Sequence, residues 1–266
     1  MQKPYVLVVC PFKGEVKSVL DMTYTLLQSY VTGFRYSLVL WDDGSSDNDL
    51  NYLYESIKNN FGNTQIMIVK HDNQGYTKTV YDIMEHVKPR LNIDYLLLVN
   101  SDIKFKVGSM FAMVNRMNTN PGIAAVGGKI LKMGTDEIQH TGAIITPDGV
   151  KDPYCGLKLD DPSTMNVERR SWANGCCTLF NLDIFRKENL NFNLEFTPSY
   201  FEEADLMTEL NMRGYSVMYE PAAVIEHAVG KTHHKEKDKY EKVFWGNWDK
   251  FQIKWKPFYN SPMLQF

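Results

Sequence analysis

The sequence predicts an α/β fold: a mostly parallel central sheet flanked by helices, with a helical extension at the C-terminal end. Three observations predict it. Over residues 5–99, short apolar runs alternate with amphipathic stretches at the spacing of strands joined by crossover helices. Those runs lack polar alternation, as suits strands covered on both faces. Near the C-terminus, Phe244, Trp248, Phe251 and Trp255 recur every three or four residues, which is helical spacing.

Residues 5–10 form the first apolar run, and 16–30 carry Val16, Val19, Leu20, Tyr24 and Leu27 at helical spacing. A second strand, 36–41, ends abruptly in Asp42, Asp43, Gly44 and Ser45. A helix over 49–59 follows, then a strand at 65–70, a helix over 77–87 and a fourth strand at 94–99. Beyond that the pattern loosens. Residues 123–131 read as a strand interrupted by Gly127 and Gly128, 142–150 as a hairpin, and the polar stretch 151–170 as a loop. A strand at 176–180, a helix over 202–212 and a strand at 215–219 complete the core. No repeat or linker divides the chain, so we expect one domain over 1–230 and a lid and aromatic helical extension over 231–266.

Composition narrows the function. With 266 residues, of which 44% are hydrophobic and 23% charged, the chain can build a substantial core. A net charge of -3 argues against nucleic-acid binding through phosphate contacts. No apolar run reaches membrane-span length, and the N-terminus has no signal-peptide pattern. Cys10, Cys155, Cys176 and Cys177 offer neither a CxxC pair nor a disulfide framework, which suits buried thiols in a reduced cytosol.

Parallel sheets bind ligands beyond the carboxyl ends of their strands. Polar residues cluster there: Asp42 and Asp43 after the second strand, Asn73, Gln74 and Gly75 after the third, Asn100, Ser101 and Asp102 after the fourth. Three such turns should converge on one crevice. Each also has a plain structural reading. The Asp42 to Asp47 stretch can be a turn with Asp47 capping a helix. Asp102 can end a strand in an Asx turn, or, with Asn100, hold a hard divalent cation. Glu202, Glu203 and Asp205 can complement a helix dipole, although three acids beside Tyr200 and Phe201 suggest a carboxylate tuned as a general base. His227 alone reads as an ordinary histidine. His233 and His234 fall in a basic stretch, 231–242, that reads as a solvated loop or lid.

In order, these residues resemble the family 2 glycosyltransferases of the GT-A fold, especially their rhamnosyltransferase-like branch. The matching series is Trp41-Asp42-Asp43-Gly44-Ser45-Ser46-Asp47, then Asn73-Gln74-Gly75-Tyr76, Leu97-Leu98-Val99-Asn100-Ser101-Asp102 and Ala125-Val126-Gly127-Gly128-Lys129. Trp172-Ala173-Asn174-Gly175-Cys176-Cys177, Tyr200-Phe201-Glu202-Glu203-Ala204-Asp205-Leu206 and Arg213 to Pro221 with His227 complete it. Each piece is common; the ordered set is specific and spans about residues 5–230.

The resemblance implies a nucleotide-sugar donor, a carbohydrate or lipid-linked acceptor, and Mn²⁺ or Mg²⁺. It implies that Asp42 contacts the nucleobase with Pro11 and Asp43 nearby, and that Asn73 and Gly75 belong to the nucleotide pocket. Asp102 falls on the metal ligand, with Asn100 and Ser101 before it and His227 as a further ligand. Trp172, Asn174 and Gly175 fall on the donor-sugar and acceptor cleft. Glu202 and Glu203 fall on the family's acid pair, whose second member is the usual base; Asp205 is the remaining candidate.

Three departures stand out. Pro11 and Phe12 replace a usual Tyr-Asn pair, Asn100 replaces an Asp, and Glu203 replaces the expected Asp base. One added methylene moves a carboxylate by roughly 1 Å, enough to cost about a hundredfold in rate if uncompensated. We therefore expect an inverting hexosyl- or deoxyhexosyltransferase of polysaccharide biosynthesis. One alternative is a catalytically weak nucleotide-sugar-binding protein. A sugar nucleotidyltransferase is a lesser one, because residues 10–14 offer only Lys13 and one glycine as a phosphate loop.

The resemblance stops before the aromatic segment at 240–258. Packing on the core is its first reading. A peripheral contact with the inner face of a membrane, through aromatics and lysines, or a homodimer contact are the others.

Overall fold

A computed structural model of the chain describes residues 3–62, 66–228 and 237–266. The first part alternates as the pattern requires: β1 (Tyr5–Phe12), α1 (Val16–Ser29), β2 (Arg35–Asp43), α2 (Asp47–Phe61), β3 (Ile66–His71), α3 (Tyr76–Val87) and β4 (Tyr95–Val99). Then come β5 (Ile103–Phe105), α4 (Ser109–Asn118), β6 (Ile123–Lys132), β7 (Ile138–His140), β8 (Ile144–Thr146), β9 (Gly149–Lys151), β10 (Glu168–Arg170) and β11 (Cys177–Asn181). The chain closes with α5 (Leu182–Glu188), α6 (Glu202–Met212), β12 (Ser216–His227) and α7 (Lys237–Trp255).

The main sheet runs β10-β12-β6-β11-β4-β1-β2-β3, with β5 on β12 and β7 on β6. Strands β1 to β4 are mutually parallel, and β12 lies parallel to β6. β11 enters antiparallel between β4 and β6. The sheet is therefore mixed but mostly parallel, with helices on both faces.

The apolar runs sort by period 2 into two cores. Leu7 and Val9 of β1 face a cluster with α3, α5, α6 and α7, whereas Val6, Val8 and Cys10 face one with α1, α2 and α4. The aromatic stripe of α7 belongs to the first: Phe251 is fully buried, Trp255 nearly so, and Trp172 meets Phe251 edge-on at 5.3 Å. Burying a side chain of that size stabilises by about 2–3 kcal/mol.

Several local expectations change. Ser46, not Asp47, caps α2, its hydroxyl accepting from the Asp49 amide. β2 continues through Asp42 and Asp43 because both still pair with β3. The expected loop over 151–170 contains β10, which pairs with β12. The strand expected at 215–219 runs on to His227. A register shift between Glu220 and Val224 carries it past Pro221, which has no amide proton to pair. Helices α4 and α5 had no counterpart in the sequence reading. Of the expected lid, residues 229–236, with His233 and His234, lie outside the described residues, and α7 begins at Lys237. Among the described residues, no helix is long and apolar enough to cross a membrane.

Candidate active site

The carboxyl ends of β1, β2 and β4 carry the first part of the site. Asp42 is completely buried at the end of β2. Its Oδ1 accepts the Ser45 amide at 2.9 Å, and its Oδ2 has no hydrogen-bond partner. A buried carboxylate oxygen without a donor is costly unless a ligand supplies one. Asp43 is already engaged: its Oδ1 accepts the Gln74 amide at 3.0 Å and ties the β2 turn to the β3 turn. Gly44 makes that approach possible. It sits at φ 86°, and a Cβ there would lie 2.8 Å from the Asn73 backbone nitrogen. Asn73 folds its own turn, its Oδ1 3.3 Å from the Gly75 amide. Gly75, at φ 85°, packs against Pro198, which joins this pocket to the chain leading into the acids of α6. Pro11 lies buried in β1 opposite Trp41.

Asp102 and His227 are brought together by strand pairing. β5 follows Asp102 directly and runs antiparallel to the end of β12, with Ile103 opposite His227 and the Ala228 amide on Asp102 O at 3.0 Å. The His227 Nε2 consequently lies 3.3 Å from Asp102 Oδ1, both side chains 15% exposed. The other ring nitrogen, Nδ1, is 3.2 Å from Gln139 Oε1. An imidazole with an oxygen at each nitrogen is arranged to share a cation with the carboxylate. Carboxylate plus imidazole is a donor set that suits Mn²⁺, and an outer-sphere amide that orients the histidine is its usual companion. The donor set of the pair thus fits a divalent cation. Among the described residues, no group of three or more His, Cys, Asp or Glu side chains forms a self-sufficient metal cage. Asn100 and Ser101 hold the turn between these strands, the Asn100 amide bonding to Cys176 O at 2.8 Å.

The acids of α6 divide into two roles. Glu202 and Glu203 hydrogen-bond to each other through their side chains. Burial, then the Glu203 charge, pushes the Glu202 carboxyl well above the usual range. Burial also raises Glu203, which the bond from Glu202 partly offsets. Of the two, Glu202 is the one whose neutral form its surroundings favour more. Thr77 Oγ1 steadies Glu202 Oε2 at 3.1 Å, and Glu203 Oε2 is buried without a partner. Asp205 is committed elsewhere: it accepts Trp255 Nε1 at 2.7 Å and pairs with Lys254 at 2.8 Å, which binds α6 to α7.

Gly175 lets Glu203 in. A Cβ at Gly175 would stand 2.5 Å from Glu203 Oε1. The added methylene of Glu over Asp is accommodated here by the absence of a side chain opposite. Gly175 O also faces the Tyr76 hydroxyl at 3.5 Å, and Asn174 Oδ1 accepts the Cys176 amide at 2.8 Å. Trp172, expected in the cleft, is buried in the core against Phe251.

Burial raises the Cys176 thiol, and the Cys177, Asp102 and Glu203 charges raise it further. Burial raises the Tyr76 phenol, and Glu202 and Glu203 add to it. The 174–176 segment links the two pairs: Cys176 O accepts the Asn100 amide two residues before Asp102, and Gly175 lies against Glu203. Tyr76, Thr77 and Gln139 were not read as site residues. The run Gly75-Tyr76-Thr77 at a helix start was a usable signal; nothing in the sequence marks Gln139.

The family described as Glycosyl transferase family 2 matches residues 7–180. No curated protein matches the sequence. Among solved structures, the chain is similar to GalNAc-T7 with UDP, GalNAc and Mn²⁺, at 14% identity and a TM-score of 0.67 over 85% of this chain. It is also similar to the mannosyltransferase PcManGT from Pyrobaculum calidifontis in complex with GDP-Man and Mn²⁺, at 14% identity and a TM-score of 0.62 over 87% of this chain. It spans 44% and 59% of those two chains, and at such identity the likeness is one of fold.

Proposed function

The chain belongs to glycosyl transferase family 2, and on that premise we propose that it transfers a sugar from a nucleotide-diphosphate donor to an acceptor hydroxyl with inversion at the anomeric carbon. The observation that carries this is the Glu202–Glu203 pair, Glu202 buried and one oxygen of Glu203 unpartnered, together with the Asp102–His227 contact at the end of β12.

Asp42 Oδ2 accepts from a donor on the base, and the Asn73–Gly75 turn borders the nucleoside. Asp102 and His227 would hold the divalent cation, Mn²⁺ or Mg²⁺, which when bound neutralises charge on the diphosphate. Glu203 takes the proton of the acceptor hydroxyl. That oxygen then attacks the anomeric carbon from the face opposite the nucleoside diphosphate, which leaves. Glu202, kept neutral by burial, directs its proton at Glu203 and holds that carboxylate in place. The acceptor is a carbohydrate or a lipid-linked sugar, and we place the enzyme in the cytoplasm in polysaccharide assembly.

The test is incubation with UDP-, GDP- and dTDP-sugars, with and without Mn²⁺, reading nucleoside diphosphate release and the anomeric configuration of the product by NMR. Retained configuration excludes the inverting mechanism. No release from any donor favours a nucleotide-sugar-binding protein instead.

A further inference from the structure

Two consecutive residues, Tyr200 at φ 76° and Phe201 at φ 69°, hold left-handed backbone immediately before Glu202. Neither is glycine or asparagine. Such a conformation persists only where its surroundings enforce it.

The enforcement comes largely from the C-terminal helix. Asn247, only 2% exposed on α7, donates its side-chain amide to Phe196 O at 2.7 Å and Ser199 O at 2.8 Å, and lies 3.3 Å from Tyr200 O. Its Oδ1 accepts Lys250 Nζ at 2.9 Å, and that ammonium also donates to Glu195 O at 2.6 Å. From the opposite side, the Thr77 amide donates to Pro198 O at 3.0 Å. The Phe201 ring packs on Phe244, Trp248 and Phe251 of the same helix. Beyond the acid pair, Asp205 is held by Lys254 and Trp255. The first turn of α6 is thus gripped before and after Glu202 and Glu203 by one helix.

Aromatic packing alone does not call for a buried amide in this helix. An apolar residue at 247 would leave the Phe196 and Ser199 carbonyls without that donor, and buried carbonyls need partners. We propose that Asn247 is a positioning residue for the Glu202–Glu203 pair, fixing the left-handed turn from which both carboxyls project. It touches no reacting atom. The inference rests on the reading of Glu203 as the base.

Asn247→Ala, Glu203→Gln and the wild-type full chain are compared by kcat and KM on the best donor of the sugar-nucleotide panel, by the kcat–pH profile, and by UDP–Mn²⁺ and GDP–Mn²⁺ titration. Amide exchange over 196–205 is followed in parallel. Asn247→Ala should lower kcat by at least about tenfold, shift the acidic limb of the profile, and accelerate exchange over 196–205. Nucleotide affinity should stay within about twofold, because that pocket is untouched. Should Asn247→Ala fail to fold, Lys250→Met loosens the same clamp from its exposed rim, and a smaller change in the same directions is expected. Wild-type kcat, profile and exchange in Asn247→Ala, while Glu203→Gln is inactive, overturns the positioning role and leaves the base standing. Full turnover in Glu203→Gln overturns the base instead. The clamp is then decided by exchange alone, and unchanged protection over 196–205 ends it.

Discussion

Gly175 has no side chain where Glu203 has one methylene more than the expected aspartate: a Cβ at residue 175 would lie 2.5 Å from Glu203 Oε1. Gly175→Ala should therefore displace the carboxylate rather than unfold the chain, since the obstructed atom ends a flexible side chain. A shift of about 1 Å costs up to about a hundredfold. We expect kcat to fall between about tenfold and a hundredfold with little change in melting temperature. The double variant Gly175→Ala, Glu203→Asp should recover part of the loss. Equal activity in Gly175→Ala and wild type contradicts this geometry.

Glu203→Gln removes proton acceptance at nearly constant shape. Turnover should drop by about 10²–10⁴, the usual range for a general base, with nucleotide binding kept. Because burial raises the Glu203 carboxyl, the wild-type rate should rise with pH through a value above the ordinary glutamate range. An acidic limb at the ordinary value, or full activity in Glu203→Gln, argues for another base.

Glu202 predicts a stability signature distinct from activity. Its carboxyl is raised in the folded state, so its neutral form is the favoured one. That contribution is fully present below the unfolded glutamate range and is lost as pH rises through the folded value. Glu202→Gln stays neutral at every pH. Its melting temperature relative to wild type should therefore climb through the pH window that opens above the ordinary glutamate range. A difference that stays flat across that window means the pair does not share a proton.

Asp102→Ala should abolish the tightening of UDP or GDP binding by Mn²⁺ while leaving metal-free binding unchanged. His227→Ala should weaken it, and Gln139→Ala should do so by about tenfold or more, as loss of an outer-sphere orienting group does. Titration calorimetry with and without EDTA reads all three. Identical nucleotide affinity in EDTA and Mn²⁺ for the wild type rules out the cation.

Phe251 is completely buried between Trp172, Phe201 and Trp248. Phe251→Ala should cost about 3–5 kcal/mol, read by urea unfolding. A loss below about 1 kcal/mol means the C-terminal helix contributes little to the core.

The alternation of strands and helices over residues 5–99 was legible because a run of Val and Leu without polar breaks has few uses other than a strand covered on both faces. The same alternation located Asp42, Asn73 and Asp102 at strand ends, and hence on one side of the sheet. The ordered motifs added Glu202, Glu203 and His227. The aromatic period of residues 244–255 announced a helix with one packed face.

What the sequence left open is what depends on contacts between distant segments. Three acids in one helical turn are equivalent on paper. Only the fold turns Glu202 and Glu203 toward Thr77 and Gly175, and Asp205 toward Lys254 and Trp255. His227 became a partner of Asp102 because β12 continues past Pro221 through a register shift and pairs with β5, which no local pattern foretells. The extra methylene of Glu203 looked like a misplacement until Gly175 stood opposite it. Local patterns are set by side-chain period along the chain. Which carboxylate is tethered and which stands unpartnered is set by neighbours that only the closed tertiary structure supplies.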